Sequence, residues 1–186
     1  MVNSYAMQTL LEKYAAGDER IVSLLKKINI YITPCVNADG YAYTFTKDRL
    51  WRKNRRNNGD GTFGVDLNRN YVVGWGIGAS TNPTSIVYQG KKPLSEPESS
   101  QYVSFLSNLK HRIKAGIDFH SYSQLVLRSW GFNNSQTPTE ADQKLIGANM
   151  AQAIYDTHQQ KYQNLRGVEL YPAGGGLDDH MFGELG

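Results

Sequence analysis

Over residues 4–16 the apolar side chains Tyr5, Met7, Leu10, Leu11 and Tyr14 recur at helical spacing, and Gly17 follows as a stop. Asp18 is placed to cap a second helix whose apolar face is Ile21, Val22, Leu24 and Leu25. At Ile28–Thr33 the period changes. Ile-Asn-Ile-Tyr-Ile-Thr alternates and is rich in β-branched residues, which predicts a strand. Pro34 and then Asn37-Ala-Asp-Gly40 end it with turn chemistry.

Residues 54–93 lose periodicity and fill with Gly, Asn, Pro and Ser. So long an irregular stretch inside a domain marks a functional surface or a linker, and its aromatic and polar motifs favour the surface. Ser95-Glu-Pro-Glu98 restarts order: Ser95 is the predicted N-cap, Pro97 sits in the first turn and Glu98 is the capping-box partner. The helix it opens carries Tyr102, Val103, Phe105, Leu106 and Leu109. Ala115–Phe119 and Gln124–Trp130 read as short strands. Thr139–Lys161 reads as a long helix with Leu145, Ile146, Met150, Ala153 and Ile154 inward. After the glycine run Gly174–Gly176 the pattern is again helical as far as Gly186. Helices alternating with strands, with neither repeats nor a linker, predict a single α/β domain: a sheet covered by helices.

Composition excludes more than it selects. The 186 residues are 40 % apolar and 20 % charged, ordinary for a globular protein and sufficient for one sizeable core. No apolar run approaches a membrane span, so no membrane partner is expected. Six basic residues (Lys47, Arg49, Arg52, Lys53, Arg55, Arg56) fall within ten positions, but a net charge of +3 without a binding motif excludes a nucleic-acid partner. The one cysteine, Cys35, has no internal partner and reads as a buried thiol near a strand end. No basic-then-apolar leader opens the chain.

Four polar motifs carry candidate chemistry. Ile117-Asp-Phe-His-Ser-Tyr-Ser-Gln124 places His120 at the carboxyl end of a strand, where open α/β sheets bind ligands. One imidazole does not make a metal site, and alone it reads first as a structural or surface histidine. Gly64-Val-Asp-Leu-Asn-Arg-Asn70 sets Asn68 beside Arg69. An amide next to a planar guanidinium suits a carboxylate, although an Asn-rich turn with a solvated arginine has the same sequence. Arg49-Leu-Trp-Arg-Lys53 is a basic stretch with Trp51 beneath it. Leu170-Tyr-Pro-Ala-Gly-Gly-Gly-Leu-Asp-Asp179 has the glycines of a mobile loop.

In order and spacing these motifs, together with Thr33–Gly40 and Tyr88-Gln-Gly90 with Ser95-Glu96, resemble the zinc metallocarboxypeptidases of the carboxypeptidase A/B family over about residues 5 to 186. The resemblance implies a mixed β-sheet flanked by helices, one Zn2+ per complete domain, a monomer, and peptide or protein C-termini as substrate. His120 then matches a zinc ligand, and Ser121 and Tyr122 match residues lining the substrate subsites. Arg52 matches the arginine that polarises the scissile carbonyl. Asn68 and Arg69 match the pair that grips the terminal carboxylate, and Tyr171 the tyrosine that closes over it. Asp178 falls at the base of the side-chain pocket, where an acid implies preference for terminal Lys or Arg; a loop shifted by one residue would make it a helix cap instead. Members of this kind are mostly secreted, so an extracellular compartment is expected by resemblance.

Departures from the pattern are equally specific. The family's other two zinc ligands sit in His-x-x-Glu, which occurs nowhere here; the remaining histidines are His111, His158 and His180. The general-base glutamate has no counterpart, since Glu184 lies too early. The cysteine pair that resemblance would place near Thr62 and Thr84 is absent. The expectation is therefore a partial peptidase domain spanning residues 1–186, truncated at both ends, inactive alone, without the ligands to hold zinc by itself and prone to aggregate. The alternative is a non-catalytic binder of peptide C-termini.

Overall fold

The computed structural model describes residues 2–185; Met1 and Gly186, and with them a helix reaching Gly186, lie outside the described residues. Helix α1 (Val2–Ala15) ends at Gly17, whose φ of +76° suits glycine. Asp18 caps α2 (Glu19–Leu25), its carboxylate accepting the Ile21 N–H at 3.1 Å. Asn37-Ala-Asp-Gly40 does not form a turn. It starts α3 (Ala38–Thr46), because the Asn37 side chain accepts the Gly40 N–H and so satisfies a helix-end donor.

At the next helix, α4 (Pro97–Leu109), the cap is displaced by one residue from expectation. Glu96 is the N-cap, Pro97 occupies the first helical position, and the Ser95 hydroxyl donates to the Glu96 carboxylate at 2.7 Å instead of capping. Strand β1 (Leu125–Arg128) leads into α5 (Glu140–His158) and then β2 (Gln163–Arg166), which pairs parallel to β1 in the register Leu125–Gln163 to Arg128–Arg166. This is a β-α-β unit, though β2 carries too few apolar residues to announce itself in the sequence. In α5 the buried side is at Gly147, while Leu145 and Ile146 are 61 % and 58 % exposed, contrary to the inward face expected for them. Gly147 lies so close to Asn164 that an added Cβ would fall within 2.5 Å of its Oδ1, and this contact sets the face α5 presents. Two short helices, α6 (Gly167–Leu170) and α7 (Leu177–His180), close the chain with a wide turn at Met181–Leu185.

Residues 28–33 and 115–119, expected as strands, have no regular structure and pair with no neighbour among the described residues. Ile28, Ile30, Tyr31, Ile117 and Phe119 stand exposed there. Strand-forming side chains make a strand only when an adjacent chain accepts the backbone hydrogen bonds. Cys35 is likewise exposed, not buried. The apolar core is small: Tyr71, Leu106, Leu177 and Leu185, with Tyr102, Val103 and Met181 against them, join α4 to residues 177–185. Among the described residues no helix is long and apolar enough to cross a membrane.

The long irregular stretch is a fixed surface. An antiparallel bridge joins Asn57 to Phe63, a parallel one joins Ser80 to Tyr88, and Asn54, Val65, Asp66, Asn70 and Glu96 are almost wholly buried. Polar groups so deep are held by hydrogen bonds to one another, which takes the place of regular structure here.

Candidate functional site

Arg52 follows a turn in which the Asp48 carboxylate accepts the Leu50 N–H at 3.0 Å. The Arg52 Nε donates to Asp66 Oδ2 at 2.9 Å; Asp66 is 2 % exposed, while the arginine side chain is 38 % exposed and presents its outer edge to solvent. The other Asp66 oxygen accepts the Asn68 N–H at 3.1 Å and so starts the single 3-10 turn Leu67–Arg69. One buried carboxylate thus ties Arg52 to the segment bearing Asn68 and Arg69.

Asn68 Oδ1 accepts the Leu177 N–H at 3.0 Å. With its oxygen committed, the amide has its NH2 left for a ligand. Arg69 is 3 % exposed, yet it joins none of the ion pairs among the described residues. Its Nη1 donates to the Asn68 carbonyl at 2.6 Å, and its buried Nε has no hydrogen-bond partner. The Tyr171 ring centroid lies 6.0 Å from the guanidinium carbon. The loop after Tyr171 packs backbone to backbone: the Tyr71 N–H donates to the Gly175 carbonyl, and a Cβ on Gly175 would come within 2.5 Å of the Arg69 carbonyl oxygen. Only glycine permits that approach, the more so at φ +72°.

His120 and Asp118 lie two residues apart in an irregular segment, and His120 Nε2 lies 2.8 Å from Asp118 Oδ2. That hydrogen bond raises the His120 pKa, with partial burial opposing it; Arg52 lowers it and Asp178 raises it through their charges. Asp178 is half-buried at the start of α7, and burial above all raises its pKa, with the Asp179 N–H acting against the rise. Asp179 is 1 % exposed, its Oδ2 accepting the Gly131 N–H at 2.8 Å while Oδ1 has no partner. Burial and then the Asp178 charge push it up to about 6.

Arg52, Asn68, Arg69, His120, Tyr171 and Asp178 therefore belong to one neighbourhood, linked by contact or by charge. Ser121 and Tyr122 are not drawn into it. Tyr122 is 96 % exposed, and neither side chain makes a hydrogen bond among the described residues. Sequence reasoning missed Asp66 and Asp118. Asp118 had a signal, a carboxylate two residues before a candidate ligand; Asp66 acts through the Asn68 main-chain N–H and through Arg52, 14 positions away, and had none. Two open grooves of about 420 and 430 Å³, one lined by Cys35, Tyr102 and Phe105 and the other by Ser123 and Gln160, lie apart from these residues.

A family model described as zinc carboxypeptidase matches residues 2–186. The chain belongs to that family. It is 38 % identical over 159 residues to carboxypeptidase O of Bos taurus, covering 84 % of this chain and 42 % of that protein. It is 36 % identical over 181 residues to carboxypeptidase B of Astacus astacus, covering 95 % of this chain and 60 % of that one. Among solved structures, thrombin-activatable fibrinolysis inhibitor superposes with a TM-score of 0.83 at 39 % identity, covering 88 % of this chain and 42 % of that chain. The bovine form, in complex with a tick carboxypeptidase inhibitor, gives 0.77 at 39 % identity over 81 % and 52 %. These neighbours establish the carboxypeptidase α/β fold. The chain spans about half the length of the curated relatives it matches.

The family implies a zinc ion, and the residues here do not fit one. His120 Nε2 is engaged by Asp118, and among the described residues no three His, Cys, Asp or Glu side chains are grouped to hold a metal.

Proposed function

We propose that this chain is the substrate-recognising part of a zinc-dependent metallocarboxypeptidase that removes the C-terminal residue of peptides and proteins, with preference for terminal Lys or Arg. The observation that carries the reading is Arg69: a buried guanidinium without a carboxylate, its Nε unpartnered, beside an amide whose NH2 is free. A buried charge is stable only when paired, so such a group marks a place for an incoming anion. A peptide's terminal carboxylate offers two oxygens to a planar fork of donors, and an internal peptide bond offers none. In this reading Tyr171, whose ring lies 6.0 Å from the Arg69 guanidinium, covers the bound end, and the exposed edge of Arg52 stabilises an oxyanion, a role worth about 3–4 kcal/mol of transition-state binding.

The half-buried Asp178 supports the preference. A Lys or Arg side chain would pair with it, whereas leucine would leave it desolvated and alone. In this reading His120 is one zinc ligand, the other two and the general base are not among these 186 residues, and the chain alone releases no amino acid. A protein expressed from the complete reading frame should release C-terminal Arg from a peptide and lose that activity to a zinc chelator. Equal affinity for free and amidated termini would sink the reading. A second reading, a zinc-free binder of peptide C-termini, is favoured by the intact Asn68–Arg69–Tyr171 receptor beside a metal site without its ligand set. It would be established if the complete protein bound such ends tightly and hydrolysed none.

A further inference from the structure

The recognition side chains sit on two arms. One runs through residues 51–56 and carries Arg52; the other runs through residues 65–70 and carries Asn68 and Arg69. The arms touch where the Asn54 N–H donates to the Val65 carbonyl at 2.9 Å and the Val65 N–H donates to Asn54 Oδ1 at 2.8 Å. A buried asparagine backs each arm: Asn54, 1 % exposed, and Asn70, 0 % exposed.

Both asparagines converge on the start of α4. Asn54 Nδ2 donates to Glu96 Oε2 at 2.9 Å, and the Glu96 N–H donates to Asn70 Oδ1 at 3.3 Å. The other Glu96 oxygen accepts from Arg56 Nη1 at 2.8 Å and from the Ser95 hydroxyl at 2.7 Å. Asn70 Nδ2 reaches Ser95 Oγ at 3.0 Å, and its Oδ1 accepts the Ser99 hydroxyl at 2.6 Å. Glu96 is 1 % exposed and reaches both arms, the first through its carboxylate and the second through its main-chain N–H. A fully satisfied buried network of this kind admits one arrangement, because any displacement leaves a desolvated polar group without a partner.

We propose that Glu96 is a positioning residue: it clamps the two arms so that Arg52 and the Asn68–Arg69 pair face the same peptide end. The clamp rests on the peptide-end reading above. Its role is registration between arms, since Glu96 touches neither the ligand nor the reacting atoms. Glu96→Gln keeps the shape and sets an NH2 against the donor of Asn54 or of Arg56, so one link is lost in either orientation.

The test uses protein from the complete reading frame, with a peptide ending in arginine and the same peptide amidated. Glu96→Gln should cut the preference for the free carboxylate about tenfold, while Leu106→Ala, a core change in the same helix that removes none of these hydrogen bonds, should lower the melting temperature and leave the preference intact. Ser95→Ala, which removes one contact to Glu96 and one to Asn70 without stranding a charge, should give a smaller loss in the same direction and serves where Glu96→Gln does not fold. A second readout needs no ligand: the 15N resonance of the Arg52 Nε–H, bonded to Asp66 across the arms, should broaden or shift in the Glu96 and Ser95 variants only. Unchanged preference and an unchanged Arg52 signal in those variants would overturn the clamp. A wild-type protein indifferent to amidation would instead overturn the peptide-end reading, and the Arg52 signal would still decide the clamp.

Discussion

Replacing Asp178 by leucine should reverse the preference of the complete enzyme between basic and apolar C-terminal residues. Asp178 is half-buried, its pKa is raised chiefly by that burial, and none of the ion pairs among the described residues includes it. In the proposed reading an arginine or lysine side chain entering the pocket supplies the missing partner. Removing one member of a fully buried pair costs about 3–5 kcal/mol; partial exposure reduces this to about 2–3 kcal/mol, or roughly 30- to 150-fold in kcat/KM. Apolar ends should gain, because the variant no longer desolvates a carboxylate. The assay is competition between otherwise identical peptides ending in Arg and in Leu, with products quantified by mass. The sign with pH follows: the ionised carboxylate attracts the cation, so wild-type preference for Arg is full above the raised Asp178 pKa and fades as pH falls through it. A change in the Arg-to-Leu ratio below about threefold in Asp178→Leu, or the same pH dependence in the variant, would refute the pocket assignment.

Further expectations come from the same geometry. Asp179, pushed up to about 6, holds its proton more tightly folded than unfolded, so its contribution declines as pH rises from the usual carboxylate range through 6. Urea midpoints between pH 4 and 7 should show a loss of up to about 3 kcal/mol that Asp179→Asn lacks; parallel slopes would contradict this. His180 has the opposite sign: it is 3 % exposed, both ring nitrogens lack partners and burial lowers its pKa, so stability is present above the usual histidine value and lost below it. His180→Phe, which keeps a ring against Tyr71, should flatten that acid limb in the same titration. Gly78 has φ +63°, and a Cβ there would collide with the Pro172 carbonyl oxygen. Gly78→Ala should displace the loop beside Tyr171 and lower kcat/KM about tenfold with a small change in melting temperature; unchanged kinetics would show that the loop position is immaterial. The isolated 186-residue chain, with exposed apolar side chains along residues 28–33 and 115–119, should aggregate or melt without cooperativity. A sharp two-state melt of a soluble monomer would contradict that.

Local rules read the helices well because capping is local. Asp18, Pro97 and Gly17 act within four residues of themselves, and α1, α2, α4 and α5 lie within a few residues of their expected limits. Asn37 misled because the side-chain chemistry that makes a turn also caps a helix. Strands at 28–33 and 115–119 were legible as composition only, since pairing is a property of the neighbour. The candidate site was legible as motifs, with Asn68, Arg69, Tyr171 and Asp178 named from sequence. Its supports were not: Asp66 and Glu96 act through partners 14 and 42 positions away, at Arg52 and Asn54 respectively, and a linear pattern gives no measure of such distances.

The hydrogen bond between Asn68 and Leu177 spans 109 positions of the chain. Until residues 177–185 have docked, the amide can rotate and its NH2 has no fixed direction. The proposed receptor for a peptide end is therefore complete only when residues 177–185 are docked against the turn that carries Asn68. A molecule locally unravelled over residues 177–185 would hold all the recognition residues with the Asn68 amide undirected, so in the proposed reading ligand capture reports on whether that one segment is docked.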